Sequence, residues 1–183
     1  MITGKGNDAP CLILLVEDDP AHAELVKRGF DSFMMPHRIV HVSHGEAALD
    51  YLFRRGDFAD ALESPRPHII LLDLRLPRIS GFDVLREIKD DVDLCSIPVI
   101  ILTTSEARED AIAAYKLHAN SFVVKPADFE QFTLLIRELG SYWLNWNYYT
   151  RQRKAEMTHS MPPRARNTFW DLGKNRLIRR NLL

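Results

Sequence analysis

The chain has 183 residues, 46% of them hydrophobic and 27% charged, which suits one soluble α/β-sized domain with an appendage and excludes two large domains. No stretch approaches the roughly 20 apolar residues that a membrane-spanning helix needs. Residues 1–8 carry no apolar signal region, so a cytoplasmic protein is expected. The net charge of −1 conceals an asymmetry: residues 1–150 hold 15 Lys/Arg against 23 Asp/Glu, a net of −8, whereas residues 151–183 hold nine against two, a net of +7. That contrast sets a boundary near Tyr149 and predicts three parts: an N-terminal segment 1–10, a folded domain 11–149 and a basic extension 150–183.

In chain order, Leu12-Ile13-Leu14-Leu15-Val16 runs directly into Glu17-Asp18-Asp19. A helix opening at Asp19-Pro20 follows, with Leu25, Val26, Gly29, Phe30 and Phe33 at helical spacing. A second strand is predicted over 38–43, and His44-Gly45 leads into a helix with Ala48, Leu49, Leu52 and Phe53 on its apolar face. Residues 55–67, with Gly56, Pro65 and Pro67, read as an extended, solvated connection. The third run, 68–73, stops at Asp73, and Ser80-Gly81 opens a helix facing inward through Leu85 and Ile88. The fourth run, 98–103, stops at Thr103-Thr104, and the helix after it, about 107–118, offers mainly Ala111, Ala113 and Ala114 to a core. Small side chains bury little area, so this helix is expected to be the least firmly held. The fifth run, 121–125, ends at Lys125-Pro126.

The last helix, from about Asp128, carries Phe129, Phe132, Leu135, Ile136, Leu139, Trp143 and Trp146, widened by Leu134, Tyr142, Leu144, Tyr148 and Tyr149. A stripe too broad for one contact surface predicts a second partner for its C-terminal half. The extension beyond it mixes Pro162-Pro163, scattered Arg and a short apolar cluster, and does not read as able to fold alone. Cys11 and Cys95 border apolar segments and are expected to be buried free thiols. His37, His41 and His44 lie close together, but a strand puts His44 opposite the other two, so no metal site is read there.

Short apolar runs without alternation are strands buried on both faces, and their alternation with helices gives a doubly wound parallel sheet. Ligands of such sheets bind outside the carboxyl ends of the strands. Acids, a hydroxyl and a lysine delivered to that edge suit a divalent cation and a phosphoryl group.

These residues also carry a family resemblance, over about 12–146. The chain resembles the receiver domain of two-component response regulators. Leu15-Val16-Glu17-Asp18-Asp19 is similar to the family's acidic pocket, and Leu71-Leu72-Asp73-Leu74-Arg75-Leu76-Pro77 to its phospho-acceptor loop. Leu102-Thr103-Thr104-Ser105 matches its switch hydroxyl, and Val124-Lys125-Pro126 the lysine that relatives follow with a cis-proline. Thirty positions separate Asp73 from Thr103 and 22 separate Thr103 from Lys125, as in the family pattern. The resemblance implies a flavodoxin-like five-stranded sheet of order 2-1-3-4-5. It implies Asp73 as phospho-acceptor, assisted by Lys125 and Thr103, and Mg²⁺ held by Asp18, Asp73, the Arg75 backbone carbonyl and, through water, Glu17. Phe122 falls at the aromatic position that turns inward when Thr103 moves.

The implied partner is a sensor histidine kinase, and the implied output is a change at the face of the fourth helix, fifth strand and fifth helix. Ser64-Pro65-Arg66-Pro67 and Tyr115-Lys116-Leu117-His118-Ala119-Asn120 resemble the single-domain regulators paired with bacterial phytochromes, which associate as dimers through the last helix and its extension. An aspartyl-phosphatase is disfavoured because Arg75 stands where such enzymes carry a second aspartate. Three alternatives arise. One is a relay that passes the phosphoryl group to another histidine. A second is a role for Arg164, Arg166, Arg176, Arg179 and Arg180 on nucleic acid, which is disfavoured because no recognised DNA-binding fold fits into about 33 residues of this composition. The third uses Phe169, Trp170, Leu172, Leu177 and Ile178 as an arm on a second subunit.

Overall fold

The computed structural model describes residues 10–147 and two strands of the extension, 168–171 and 176–179. The expectations for residues 1–9 and for Tyr148, Tyr149, Pro162, Pro163, Arg164, Arg166, Leu172 and Arg180 lie outside the described residues. By its internal packing the chain divides into two units, 1–149 and 150–183.

The first unit is a five-stranded parallel sheet of order 2-1-3-4-5. Its strands are β1 (Cys11–Val16), β2 (His37–Val42), β3 (Ile69–Leu72), β4 (Val99–Thr103) and β5 (Ser121–Val124). The helices between them are α1 (Pro20–Asp31), α2 (Gly45–Phe53), α3 (Gly81–Asp90), α4 (Arg108–Lys116) and α5 (Phe129–Gly140). Every residue of β1, β3 and β4 is buried, whereas β5 is half-buried throughout, as an edge strand should be.

Because side chains alternate across a strand, each central strand feeds two cores. Leu14, Val16, Ile70, Leu72, Val99 and Ile101 meet α2, α3 and Ala114 of α4 on one face. Cys11, Ile13, Leu15, Ile69, Leu71, Ile100 and Leu102 meet Val26 and Phe30 of α1 and Phe132 and Ile136 of α5 on the other. The close approach of α1 and α5 depends on Gly29, where a Cβ would collide with the Ile136 side chain.

Side chains that accept backbone N–H groups set four of the helix starts. Asp19 Oδ1 takes the amides of Ala21 and His22 at 2.7 and 3.2 Å. His44 Nδ1 takes that of Ala47 at 3.1 Å, Ser80 Oγ that of Asp83 at 3.2 Å, and Asp128 Oδ1 that of Gln131 at 2.9 Å. α4 is the exception: Ala107 gives it no side-chain cap, and Ala114 is its one buried residue.

Several expectations are corrected. Cys11 is buried, but Cys95 is exposed, because the turn after α3 buries Leu94 and Ile97 instead. The 55–67 connection is not wholly solvated: after a short 3₁₀ turn at Gly56–Phe58 it is anchored where it returns to the sheet. Tyr51 Oη donates to the Pro65 carbonyl at 2.7 Å, the Arg66 guanidinium donates to the Leu52 carbonyl, and Ser64 is buried. All described peptide bonds are trans, that before Pro126 included, which departs from the family habit noted above.

α5 does not simply continue to Trp146: from Ser141 the helix loosens to a π-helical segment, Ser141–Trp146. The wider turn brings Trp143 and Leu144 into the core and leaves Tyr142 and Trp146 exposed. In the second unit, Thr168–Asp171 pairs antiparallel with Arg176–Arg179, with Phe169 opposite Ile178 and Trp170 opposite Leu177. Regular structure in the basic extension was not expected from its composition. A two-stranded hairpin is marginal by itself, which is why composition gave no sign of it.

Candidate functional site

Four strands deliver four side chains to one edge of the sheet. Glu17, Asp73 and Lys125 each follow the last residue of a strand, yet their amides still extend the ladder. Glu17 N–H donates to Val42 O at 3.1 Å, Asp73 N–H to Val16 O at 3.0 Å, and Lys125 N–H to Thr103 O at 2.7 Å. Backbone pairing therefore sets the direction in which each functional group points.

The groups converge. The Lys125 ammonium donates to Glu17 Oε2 and to Asp73 Oδ2, both at 2.6 Å, and all three side chains are almost wholly buried. Asp73 Oδ1 accepts the backbone N–H of Arg75 at 3.0 Å, which fixes the plane of the carboxylate. Carboxylate oxygens of Glu17, Asp18 and Asp73 lie within 4.8 Å of one another, with Asp18 on the solvent side. Burial raises the Glu17 pKa; the hydrogen bond and charge of Lys125 oppose that shift without cancelling it. Its second oxygen, Oε1, is buried without a hydrogen-bond partner.

Three carboxylates, one with an unsatisfied buried oxygen, are a hard-donor set. They fit a divalent cation that takes oxygen ligands and keeps some of its water. The single ammonium cannot balance three acids, and a bound cation would supply the missing positive charge.

Thr103 is fully buried at the end of β4, and its Oγ1 accepts the Ser105 N–H at 3.3 Å. Ser105, itself buried, donates its hydroxyl to Asp110 of α4 and accepts the amide of Ala107 at 3.4 Å. The hydroxyl is thus linked through one residue to the start of the weakly anchored helix. Phe122 is half-buried against the core face that carries α2, α3 and α4, and its N–H donates to Tyr115 Oη of α4 at 3.2 Å. Arg75, two residues after Asp73, is exposed.

The three neighbouring histidines serve separately. His41 bonds the Glu17 carbonyl at 2.8 Å through Nε2, His44 caps α2, and His37 bonds the Met35 carbonyl at 2.9 Å. The segments at 64–67 and 115–120 act as anchors: Asn120 Oδ1 accepts from Val99 N–H at 2.9 Å and from the Lys89 ammonium at 3.2 Å.

Two residues next to this edge escaped the sequence reading. Gly81 was read only as the start of a helix. In fact a Cβ there would strike the Asp73 carbonyl and stand 2.6 Å from Leu74 Cα, so the glycine lets α3 pack against the Asp73–Leu74 backbone. Its position eight residues after Asp73, behind a capping serine, is the only signal the sequence offered. His22 stands 3.5 Å from the unpaired Glu17 oxygen, a proximity visible only once α1 is placed over the edge.

This sheet order and this acidic edge define a receiver module of two-component signalling. The chain belongs to the response regulator receiver domain family, whose model matches residues 13–137. Over 138 residues, 75% of this chain, it is 44% identical to the probable methanogenesis regulatory protein FilR2 of Methanothrix harundinacea, covering 86% of that protein. It is 38% identical over 138 residues to the response regulator Rcp1 of Synechocystis, covering 75% of this chain and 92% of that one. The fold superposes on the Mn²⁺-bound form of Rcp1 with a TM-score of 0.74 at 37% identity, and equally well on the phosphorylated cyanobacterial phytochrome response regulator RcpA at 36% identity. Both superpositions cover 78% of this chain and all of the other. Among the described residues no helix is long and apolar enough to cross a membrane.

Proposed function

We propose that this protein is a phosphorylation switch in which Asp73 accepts a phosphoryl group from the phosphohistidine of a sensor histidine kinase. An Asp73 carboxylate oxygen attacks phosphorus, the P–N bond to the imidazole breaks, and an acyl phosphate forms on Asp73. The observation that carries this reading is the buried Lys125 ammonium shared by Glu17 and Asp73 beside an unpaired Glu17 oxygen. Lys125 is poised to follow the phosphoryl oxygens as they arrive at Asp73. Asp18, Asp73 and the Arg75 carbonyl would hold Mg²⁺, with Glu17 acting through a bound water. When bound, the cation neutralises charge on the transferring phosphoryl group, so that catalysis is positioning plus electrostatics.

The switch then runs through Thr103. Its hydroxyl leaves the Ser105 amide for a phosphoryl oxygen, Phe122 turns into the vacated space, and the surface of α4, β5 and α5 changes. The weak anchoring of α4 supports that surface as the output. The likeness to the cyanobacterial phytochrome response regulator RcpA supports a phytochrome-type kinase as the partner. Exposed Phe129, Leu134, Tyr142 and Trp146 on the last helix support homodimer formation there.

Intact-mass measurement of the full chain with Mg²⁺ and acetyl phosphate tests the acceptor, with Asp73→Asn as control. One added phosphoryl group in the wild type alone is expected, and labelling of both proteins would overturn the assignment. Native mass spectra of the same samples report whether the subunits associate.

A further inference from the structure

We infer that His22 is a positioning residue for the acidic pocket, holding the free oxygen of Glu17 so that this carboxylate faces the cation's water shell. The inference rests on reading the pocket as a divalent-cation site.

Among the described residues, Glu17 Oε1 is the one buried side-chain polar atom without a hydrogen-bond partner. An unmade hydrogen bond at a buried acceptor is costly, so a donor nearby has a strong reason to be there. His22 Nδ1 is 3.5 Å from this oxygen, a few tenths of an ångström beyond an N–H···O bond. A small turn of the ring closes that gap. The neutral ring with its proton on Nδ1 suffices, so the contact requires no change of charge.

The ring is also held in place. Its edge meets the ring of buried Phe132 with centroids 5.6 Å apart and planes 75° apart. Its backbone amide is tied to Asp19 Oδ1, and the other Asp19 oxygen lies 3.8 Å from Nδ1. The imidazole therefore stands at the mouth of the pocket, 31% exposed, packed by α5 on one side and facing the acids on the other.

Lys125 on Oε2 and His22 on Oε1 together fix the plane of the Glu17 carboxylate. A cation-bound water then meets a preset acceptor. Without His22 the carboxylate can turn about its single remaining anchor. Removing groups that orient metal ligands in this way typically weakens binding by about 10–100-fold.

The test is Mn²⁺ titration of the full chain, read by the electron paramagnetic resonance signal of free Mn²⁺, for wild type, Asp18→Asn, His22→Ala and His22→Asn. Thermal midpoints in the absence of metal accompany each titration. His22→Ala is expected to bind Mn²⁺ about tenfold more weakly while still unfolding cooperatively, at a somewhat lower midpoint, in the absence of metal. His22→Asn is expected to recover most of the loss, because its amide N–H₂ can reach the place of Nδ1. If Asp18→Asn loses binding while His22→Ala matches wild type, the role of His22 is overturned and the cation pocket stands. If His22→Asn is folded yet binds as weakly as His22→Ala, the donor role is likewise overturned. If wild type binds no better than Asp18→Asn, the pocket reading itself fails and the inference fails with it.

Discussion

α3 and α4 are neighbours in sequence and lie on the same face of the sheet, yet they are held in opposite ways. α3 has a serine cap and buries Gly81, Val84, Leu85 and Ile88, with Gly81 pressed against the Asp73–Leu74 backbone. α4 has no side-chain cap, buries Ala114 alone, and leaves Ile112 and Tyr115 exposed. One helix braces the backbone at Asp73, the residue proposed to accept the phosphoryl group. The other is the element that can answer it at low cost, because little apolar area has to be uncovered for it to shift.

The contrast can be broken most severely at the pocket. Lys125→Met leaves Glu17 and Asp73 buried without their shared cation, and a loss of about 3–5 kcal/mol is expected in urea unfolding without metal. Saturating Mg²⁺ should restore part of it, since a ligand that binds only the folded state stabilises by mass action. A variant as stable as wild type would show that the two buried ion pairs contribute nothing net.

Next come the helices themselves. Leu85→Ala in α3 should cost about 2–5 kcal/mol, as for other wholly buried leucines. Ile112→Ala in α4, 44% exposed, should cost no more than about 1 kcal/mol. Equal losses in paired denaturation curves would remove the asymmetry on which the proposed output surface rests.

A smaller effect, of known sign, is expected at Glu17. Burial raises its pKa, so in the metal-free protein its contribution is fully present below the ordinary value of 4.5 and is lost as the pH rises through the raised value. Glu17→Gln carries no such charge. Without metal it should gain stability relative to wild type as the pH rises above 4.5, and saturating Mg²⁺ should reverse that order. A stability difference that does not change with pH would show that burial of the Glu17 charge is not the dominant cause.

The smallest change concerns Arg75, whose amide holds Asp73 while the residue itself is exposed. The bulk and charge of that side chain are expected to hinder attacking water. Arg75→Asn should shorten the acyl-phosphate lifetime by a few fold, about 1 kcal/mol or less in barrier. An unchanged dephosphorylation rate would assign the side chain no part in that lifetime.

Read by itself, the sequence determined the five strands, the five helices and the edge of the sheet at which Glu17, Asp18, Asp73, Thr103 and Lys125 emerge. It could do so because hydrophobic runs and helix caps are local signals: burial on both faces leaves an uninterrupted apolar run, and the first polar residue after it marks the strand's end. Strand order entered through the family resemblance, since no residue pattern distinguishes which parallel strands are neighbours. Tertiary structure alone decided what the polar residues do to one another. The sharing of one ammonium by Glu17 and Asp73 joins residues 108 and 52 positions apart, and the approach of His22 to the unpaired Glu17 oxygen and of Gly81 to the Asp73 backbone, though closer in sequence, depends on how α1 and α3 are set against the sheet. The same holds for the two thiols, of which only Cys11 is buried, and for the last helix, where a π-helical turn rather than the sequence period selects Trp143 for the core and Trp146 for solvent. Periodicity records which residues avoid water, whereas distance and direction between charged groups arise only when helices and strands are packed together.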